Sequence, residues 1–191
     1  LLDAAIDILM EAGLAKCSLG AVARRADLTT GAVQHHFKTK AVLIRAVIEE
    51  RLFNVERVRP VEALSEMSLE EICRAFVDQQ WVFYGDPRYL AMWDIILGAR
   101  NDKDVQAVIL NWQQSGIAAL ESAMISAFRA YEPTQQLVRS VQYFMNAHLR
   151  GLALLRTVDP NEAEIPVQLE WLAQVLADKV RCSSDMASRF S

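Results

Sequence analysis

Hydrophobic and polar positions recur at the spacing of an α-helix along almost all of the 191-residue chain. No segment shows the two-residue alternation of a half-buried strand between hairpin turns. The pattern therefore predicts an all-α protein of about nine helices, whose boundaries are set by capping residues, Gly and Pro.

Short helices are predicted at the start of the chain. Gly13 suits the left-handed position that closes the first helix, and Asp27 tolerates the positive φ of the turn after the second. Ser18 and Thr29 are N-caps of the second and third helices. These helices are predicted over residues 1–12, 19–26 and 30–36.

Longer helices are predicted for the rest of the chain. The fourth begins after Thr39 and runs to about Arg59, before Pro60. Ser68 and Glu71 have the spacing of a capping box, and Asp86 before Pro87 suits a helix start. The tail from residue 183 lacks periodicity and is expected to fray. The fifth to ninth helices are predicted over about 69–84, 87–99, 105–131, 133–157 and 167–181.

Three short helices with only about three residues between the second and third are typical of a helix-turn-helix. A small common core would leave Thr30, Gly31 and Gln34 at the start and exposed face of the third helix. Small residues let a backbone approach the major groove, and Gln can make a bidentate contact with adenine. The predicted core is Ala5, Ile6, Leu9, Leu19, Val22, Ala23, Val33 and Phe37.

Charge is distributed unevenly along the chain. Six Lys and Arg residues against the single acid Asp27 give residues 15–48 a net charge of +5, whereas the remainder carries −9 of the total of −4. A basic segment attached to an acidic remainder indicates a polyanion-binding module fused to another domain. Lys38 and Lys40 follow the third helix, where a cation and helix N-terminal amides can hold a phosphate.

The pair His35 and His36 in "GAVQHHFKTK" raises the question of a metal or catalytic site. Neighbouring residues diverge by about 100° on a helix, so the two rings cannot grip one ion from one face. No serine or carboxylate is spaced to form a triad with them. Contact with DNA is the favoured role, with a structural role for one of them as the alternative. Arg24 and Arg25 fit phosphate contact or an ordinary solvated face equally well.

The stretch "AAIDILMEAGLAKCSLGAVARRADLTTGAVQHHFKTKAVLIRAV" resembles the DNA-binding domain of the TetR family of transcriptional regulators. In that family an aromatic pair usually stands where Gln34 and His35 stand, and Gly commonly stands where Asp27 stands. The resemblance implies a DNA-binding domain over residues 1–48 and a helical ligand-binding and dimerisation domain over 49–191, linked by the fourth helix. The residues expected to face DNA are Ser18, Thr29, Thr30, Gly31, Gln34, His35, His36, Lys38 and Lys40.

Aromatic residues and Met cluster in the fifth to eighth helices. Most should be packed core, but indole and phenol groups with polar tips could also line a cavity for an apolar or aromatic effector. The ligand-binding candidates are Trp81, Tyr84, Tyr89, Met92, Trp93, Trp112, Phe144 and His148.

The eighth and ninth helices carry apolar stripes wider than a surface helix needs. In TetR-like proteins the last two long helices form a four-helix dimer interface, which implies a homodimer through residues of about 135–157 and 167–181. Such a dimer would place two recognition helices in successive major grooves of a pseudo-palindromic operator.

The resemblance and the composition together predict a cytoplasmic transcriptional repressor that binds double-stranded DNA. A small molecule is expected to release it from the DNA. A constitutive DNA-binding regulator without an inducer is the alternative. A helical enzyme is disfavoured because His148 is the one histidine outside the first 48 residues. Cys17, Cys73 and Cys182 lack CxxC spacing, so no disulfide, metal or cofactor is expected, and no apolar run is long enough to span a membrane.

Overall fold

The computed structural model describes residues 1–52, 67–159 and 161–189, and in these ranges it is helical with short connections. This confirms the predicted all-α fold. The helices are α1 (Leu2–Ala12), α2 (Leu19–Arg25), α3 (Thr30–His36), α4 (Lys40–Val47), α5 (Leu69–Tyr84), α6 (Tyr89–Gly98), α7 (Lys103–Ala127), α8 (Gln135–Leu155) and α9 (Glu164–Arg189).

Local capping chemistry confirms the predicted starts of α2, α3 and α5. The hydroxyl oxygens of Ser18 and Thr29 accept hydrogen bonds from the backbone N–H groups three residues ahead. Ser68 and Glu71 form the reciprocal capping box at the start of α5. Asp27 takes a φ of 55°, the left-handed conformation expected of the turn before α3.

Several predicted boundaries are wrong. α6 begins at Tyr89 rather than Pro87, because Pro87 and Arg88 form a turn whose carbonyls accept bonds from the N–H groups three residues on. α7 ends at Ala127, before a 3₁₀ turn (Arg129–Tyr131). α4 gives way to a π-helical turn (Ile48–Leu52), and the predicted end of the fourth helix near Arg59 and Pro60 lies outside the described residues.

α8 and α9 also differ from their predicted lengths. α8 begins at Gln135 with Thr134 as its N-cap and ends at Leu155. α9 begins at Glu164 rather than Val167, because Pro166 falls in its first turn, where no backbone donor is required. α9 continues to Arg189, so the predicted end at Arg181 and the frayed tail from residue 183 are wrong for 183–189.

The described residues form two compact units. The first holds residues 1–52 with 87–115, and the second holds 67–86 with 116–159 and 161–189. α6 thus packs with the amino-terminal helices, although the predicted domain boundary between residues 48 and 49 assigns it to the carboxyl-terminal domain. In the first unit the fully buried core includes Leu9, Val22, Val33, Leu43, Ile44 and Ile95.

Two members of the predicted amino-terminal core are less buried than expected. Leu19 and Phe37 are only half-buried, because each lies at the end of a short helix where solvent reaches one side. Leu14 and Cys17, in the turn between α1 and α2, are buried in addition. The turn is therefore part of the core rather than a surface loop.

In the second unit α5 packs against α8 and α9. Phe76 and Phe128 lie with ring centroids 5.8 Å apart, and Met145, Leu149 and Leu176 are fully buried around the same core. Arg74 of α5 contacts Glu170 of α9, and Arg181 of α9 contacts Glu70 of α5. Because these ion pairs are exposed, the apolar core contributes most of the stability.

The glycines of α6 and α7 provide a test of this packing. A Cβ on Gly98 would lie 2.7 Å from the Leu14 Cβ, whereas a Cβ on Gly116 would meet nothing within 4 Å. We expect Gly98→Ala to lower the free energy of unfolding by about 1–3 kcal/mol. Gly116→Ala, the matched control, should raise it by roughly 0.5–1 kcal/mol. Urea denaturation measures both, and equal effects would contradict the predicted contact.

Candidate functional site

The third helix presents an almost entirely polar surface. Of its seven residues only Val33 is buried, while Thr30, Gly31, Gln34 and His35 are exposed. Thr29, at the N-cap, and His36, at the last position, are exposed as well. The structure therefore brings the candidates of the third helix together on one short exposed element.

The hydroxyl groups that cap the starts of α2 and α3 can still donate a hydrogen bond. Ser18 and Thr29 use their oxygen to accept from Ala21 and Ala32, at 3.2 and 3.1 Å. A hydroxyl that accepts can still donate its own proton, so each remains able to bind an anionic oxygen. Thr39, the N-cap of α4, is equivalent and exposed. It was absent from the predicted set, although its capping position was the signal that could have found it.

The two neighbouring arginines of α2 point to different surroundings. Arg25 donates to Glu11 and lies 3.6 Å from Asp7, both on α1. The hydrogen bond from Arg25 holds the pKa of Glu11 below its usual value. Arg25 is therefore an internal partner of α1.

Arg24 lies near Gly20 of α2 and Thr30 of α3. A Cβ on Gly20 would be 3.7 Å from a terminal nitrogen of Arg24 and 3.9 Å from the Thr30 hydroxyl oxygen. This places the guanidinium beside the start of α3. Arg24 shares the surface of the predicted DNA-facing residues, and Gly20 leaves room for it.

Lys40 has a partial structural commitment. Its Nζ donates to the Leu14 carbonyl oxygen at 2.6 Å, across the turn between α1 and α2. Burial raises the pKa of the neighbouring Cys17 thiol, and the charge of Lys40 opposes that rise. An ammonium group has three donors, so two remain for another acceptor. Lys38 is exposed.

His35 and His36 do not form part of a metal centre in the described residues. Their ring centroids lie 5.7 Å apart in an edge arrangement. Within the described ranges no group of three His, Cys, Asp or Glu residues could hold a metal ion.

None of the helices in the described ranges combines the length and apolarity needed to cross a bilayer.

The ligand-binding candidates are divided between the two units. Tyr89, Met92, Trp93 and Trp112 belong to the first unit and Trp81, Tyr84, Phe144 and His148 to the second. Tyr84, Tyr89 and Met92 are buried. Trp81, Trp93, Trp112 and His148 are half-buried, and Phe144 is exposed.

Some of these candidates have partners within the second unit. The Arg156 guanidinium lies 5.8 Å from the centroid of the Trp81 ring and donates to the Gly85 carbonyl at 2.9 Å. Burial raises the pKa of the Tyr84 hydroxyl, and the nearby Arg150 partly offsets that rise. Trp81 and Tyr84 are thus already in contact with cations.

Several half-buried side chains each bury a polar atom that lacks a hydrogen-bond partner in the described residues. Trp93 Nε1, Asn146 Oδ1 and His148 Nε2 are among these atoms. A buried polar group without a partner costs roughly 1–3 kcal/mol. Such atoms mark places where a bound molecule could supply the missing hydrogen bond.

A cleft of about 530 Å³ lies between the end of α8 and the start of α9. Its lining includes the apolar side chains of Leu152, Leu155 and Ile165 and the acidic residues Asp159 and Glu164. Of the predicted ligand residues only His148 lines this cleft.

A small helical core that exposes the polar face of one short helix after a tight turn is a helix-turn-helix, the class of fold that reads duplex DNA. Residues 1–47 match the family model described as bacterial regulatory proteins, tetR family. The match identifies a TetR-type DNA-binding domain over residues 1–47, and the proteins of that family are bacterial regulatory proteins.

The chain is similar to several known proteins over most of its length. It is 25% identical over 174 residues to the HTH-type transcriptional regulator BetI of Escherichia coli O139:H28, covering 87% of this chain and 85% of BetI. A transcriptional regulator from Rhodococcus sp. Rha1 has a TM-score of 0.66 and 19% identity, with 94% and 92% of the two chains covered. FadR from Bacillus subtilis, solved with stearoyl-CoA, has a TM-score of 0.61 and 16% identity, with 94% and 95% covered.

His148 should make stability depend on pH. Burial lowers the pKa of its imidazole in the folded protein. The unfolded chain therefore binds more protons below about pH 6.5, and stability present above that pH is lost on acidification. We expect the thermal midpoint to fall between pH 7.5 and 5.5, and to fall less in His148→Gln. The exposed His35→Gln is the control, and an unchanged slope in His148→Gln would refute this assignment.

Proposed function

We propose that the chain is a repressor that binds a pseudo-palindromic operator as a homodimer and is released by a small apolar or aromatic effector. In this proposal residues 1–48 bind DNA, and residues 49–191 bind the effector and form the dimer. The observation that carries the DNA-binding part is the exposed polar face of α3. Val33, on the opposite face, anchors the helix in the core.

Base reading and phosphate binding fall to different residues in this proposal. Gln34 lies in the middle of α3 and has an amide that matches the adenine edge. His35 and His36 are exposed on the same short helix. Thr29 and Thr30 stand at its N-terminus, where a phosphate would meet free backbone donors, and Gly31 adds no side chain that would hold the backbone away.

The cations around this surface would supply sequence-independent affinity. Lys38 and Lys40 flank the start of α4, with Lys38 fully available and Lys40 partly used by Leu14. Arg24 joins them because it lies beside Thr30. Ser18 would hold a phosphate from the start of α2 with its remaining hydroxyl proton.

The outer faces of α8 and α9 support the dimer. Large apolar side chains remain exposed there while the inner faces of both helices are buried. A run of exposed apolar side chains of this kind marks an interaction surface. The exposed residues are Tyr143, Phe144, Leu154, Leu155, Val167, Trp171 and Val175.

An effector would act by shifting the population of DNA-competent dimers. Moving a two-state equilibrium from 1:99 to 99:1 requires a difference of about 5.5 kcal/mol between the ligand's affinities for the two states. Trp93 in the first unit and Asn146 in the second each bury an unsatisfied polar atom that a ligand could use. FadR, which has the same fold, was solved with stearoyl-CoA, and this supports an apolar effector for the present chain.

Substitutions should separate base reading from phosphate binding. On a duplex selected from random sequence, Gln34→Ala should cost about 1–3 kcal/mol and relax the preference at one base pair. Lys38→Ala should weaken binding to all duplexes alike and reduce the salt slope by about one. Fluorescence anisotropy measures both effects, with Lys103→Ala as a control on an exposed lysine of α7. Equal, sequence-independent losses from Gln34→Ala and Lys38→Ala would contradict these roles.

A thermal-shift screen tests the effector. Long-chain acyl-CoA esters and planar aromatic compounds are suitable probes, and a compound that binds the folded state raises the thermal midpoint. The same compound should release the protein from DNA. Trp93→Phe removes the indole N–H while keeping an aromatic ring, so it should reduce the shift. DNA binding with no shift from any probe would instead favour the constitutive regulator.

A further inference from the structure

One carbonyl group in the turn between α1 and α2 accepts hydrogen bonds from two donors. The backbone oxygen of Leu14 accepts from the Cys17 N–H at 3.2 Å and from the Lys40 ammonium at 2.6 Å. A carbonyl oxygen has two lone pairs, so these two bonds use both of them. Leu14 thus connects the turn to Lys40, the first residue of α4.

The side chain of Leu14 is held by α6. Leu14 is buried, with 3% of its surface exposed. Gly98, the last residue of α6, lies so close to it that a Cβ on Gly98 would be 2.7 Å from the Leu14 Cβ and 3.3 Å from its Cδ2. A close-packed contact of this kind leaves no room for Leu14 to shift toward α6. The packing of α6 therefore helps to fix the position of the Leu14 carbonyl.

The two lysines at the start of α4 differ in how firmly they are held. Lys40 is half-buried, its backbone follows the N-cap Thr39, and its Nζ is bonded to Leu14. Lys38 is exposed, and its ammonium makes no hydrogen bond or ion pair with the residues that the structure describes. One cation is thus tethered, and the other is free to move.

A tethered lysine should bind a phosphate more tightly than a mobile one. The lysine side chain has several rotatable bonds, and fixing it in one conformation when a ligand binds costs free energy. The bond to Leu14 already restricts the Lys40 side chain before DNA is present. An ammonium group has three donors, so two remain for phosphate oxygens.

We propose that Leu14 and Gly98 are positioning residues for phosphate binding by Lys40. Gly98 allows α6 to hold Leu14, and the Leu14 carbonyl holds the Lys40 ammonium in a conformation ready for the DNA backbone. A phosphate contact carries no base information, so this arrangement raises the affinity for every duplex alike. The inference rests on the proposed DNA-binding function and assigns a part in it to two residues that do not themselves contact DNA.

A comparison of the two lysines tests the effect of the tether. Lys40→Met and Lys38→Met each remove one charge and keep the apolar stem, so each should reduce the salt slope by about one. Lys40→Met should also cost about three- to tenfold more affinity than Lys38→Met, because it removes the cation that is already restricted. Fluorescence anisotropy on one selected duplex at several salt concentrations measures both effects. Equal losses of affinity would overturn the inference.

A double-mutant cycle tests the role of Gly98. Gly98→Ala displaces Leu14, so it should lower DNA affinity about three- to tenfold and leave the salt slope unchanged, because the charge of Lys40 remains. In the Lys40→Met background Gly98→Ala should have no further effect. Gly116→Ala is the matched control, since a Cβ there meets nothing within 4 Å, and it should change neither quantity. A loss of the same size in both backgrounds would indicate a general distortion of the fold and would overturn the inference.

The bond from Lys40 to Leu14 can also be observed without DNA. In nitrogen-edited NMR spectra of the lysine ammonium groups, the Lys40 signal is assigned by its loss in Lys40→Met. It should be protected from exchange with water in the wild-type chain and less protected in Gly98→Ala. Circular dichroism melts check that each variant folds, and the wild-type signal and the lysine comparison do not depend on Gly98→Ala.

The outcomes separate this inference from the proposed function. An unprotected Lys40 ammonium in a chain that binds duplex DNA overturns the inference alone. A protected ammonium in a chain that binds no duplex refutes the proposed function, and the inference is refuted with it. A protected ammonium, a larger loss from Lys40→Met than from Lys38→Met and a Gly98→Ala effect confined to the Lys40 background support both.

Discussion

The burial of Val33 is the contact on which the DNA-binding surface depends. A helix of seven residues is too short to be stable alone, because it closes few hydrogen bonds after a costly nucleation step. Val33 is the only buried residue of α3, and the Thr29 cap satisfies its first turn. These two interactions fix the backbone of α3. The side chains at its other positions are therefore not needed for packing and are available for contact with DNA.

The second unit follows the opposite logic. α8 and α9 have more apolar surface than one bundle can bury, so their inner faces form the core while Phe144, Leu155 and Trp171 remain exposed. The two units thus have different roles in the proposed regulator. The first unit exposes a polar helix for DNA binding, and the second unit exposes a wide apolar surface for a second chain. Doubling a weakly held recognition helix increases both the affinity and the length of sequence read.

Local chemistry explains what the sequence allowed us to predict. The all-α fold, the caps at Ser18 and Thr29 and the capping box at Ser68 depend on residues three apart, so they are visible in the chain. Long-range contacts were not predictable. The pairing of Arg25 with Glu11, which leaves Arg24 beside α3, and the bond from Lys40 to Leu14 join residues 14 and 26 positions apart. The α8–α9 cleft likewise depends on the packing of two helices, and its lining was not anticipated apart from His148.

The salt dependence of affinity for duplex DNA tests the central claim most directly. A protein that holds phosphates with Lys and Arg releases counterions, so the logarithm of the binding constant should fall linearly with the logarithm of salt concentration. The proposed dimer has two DNA-binding domains, each with several basic residues. It should therefore give a steep negative slope, of about −0.9 for every phosphate neutralised. Affinity that does not change with salt, or no binding at low ionic strength, would contradict the account.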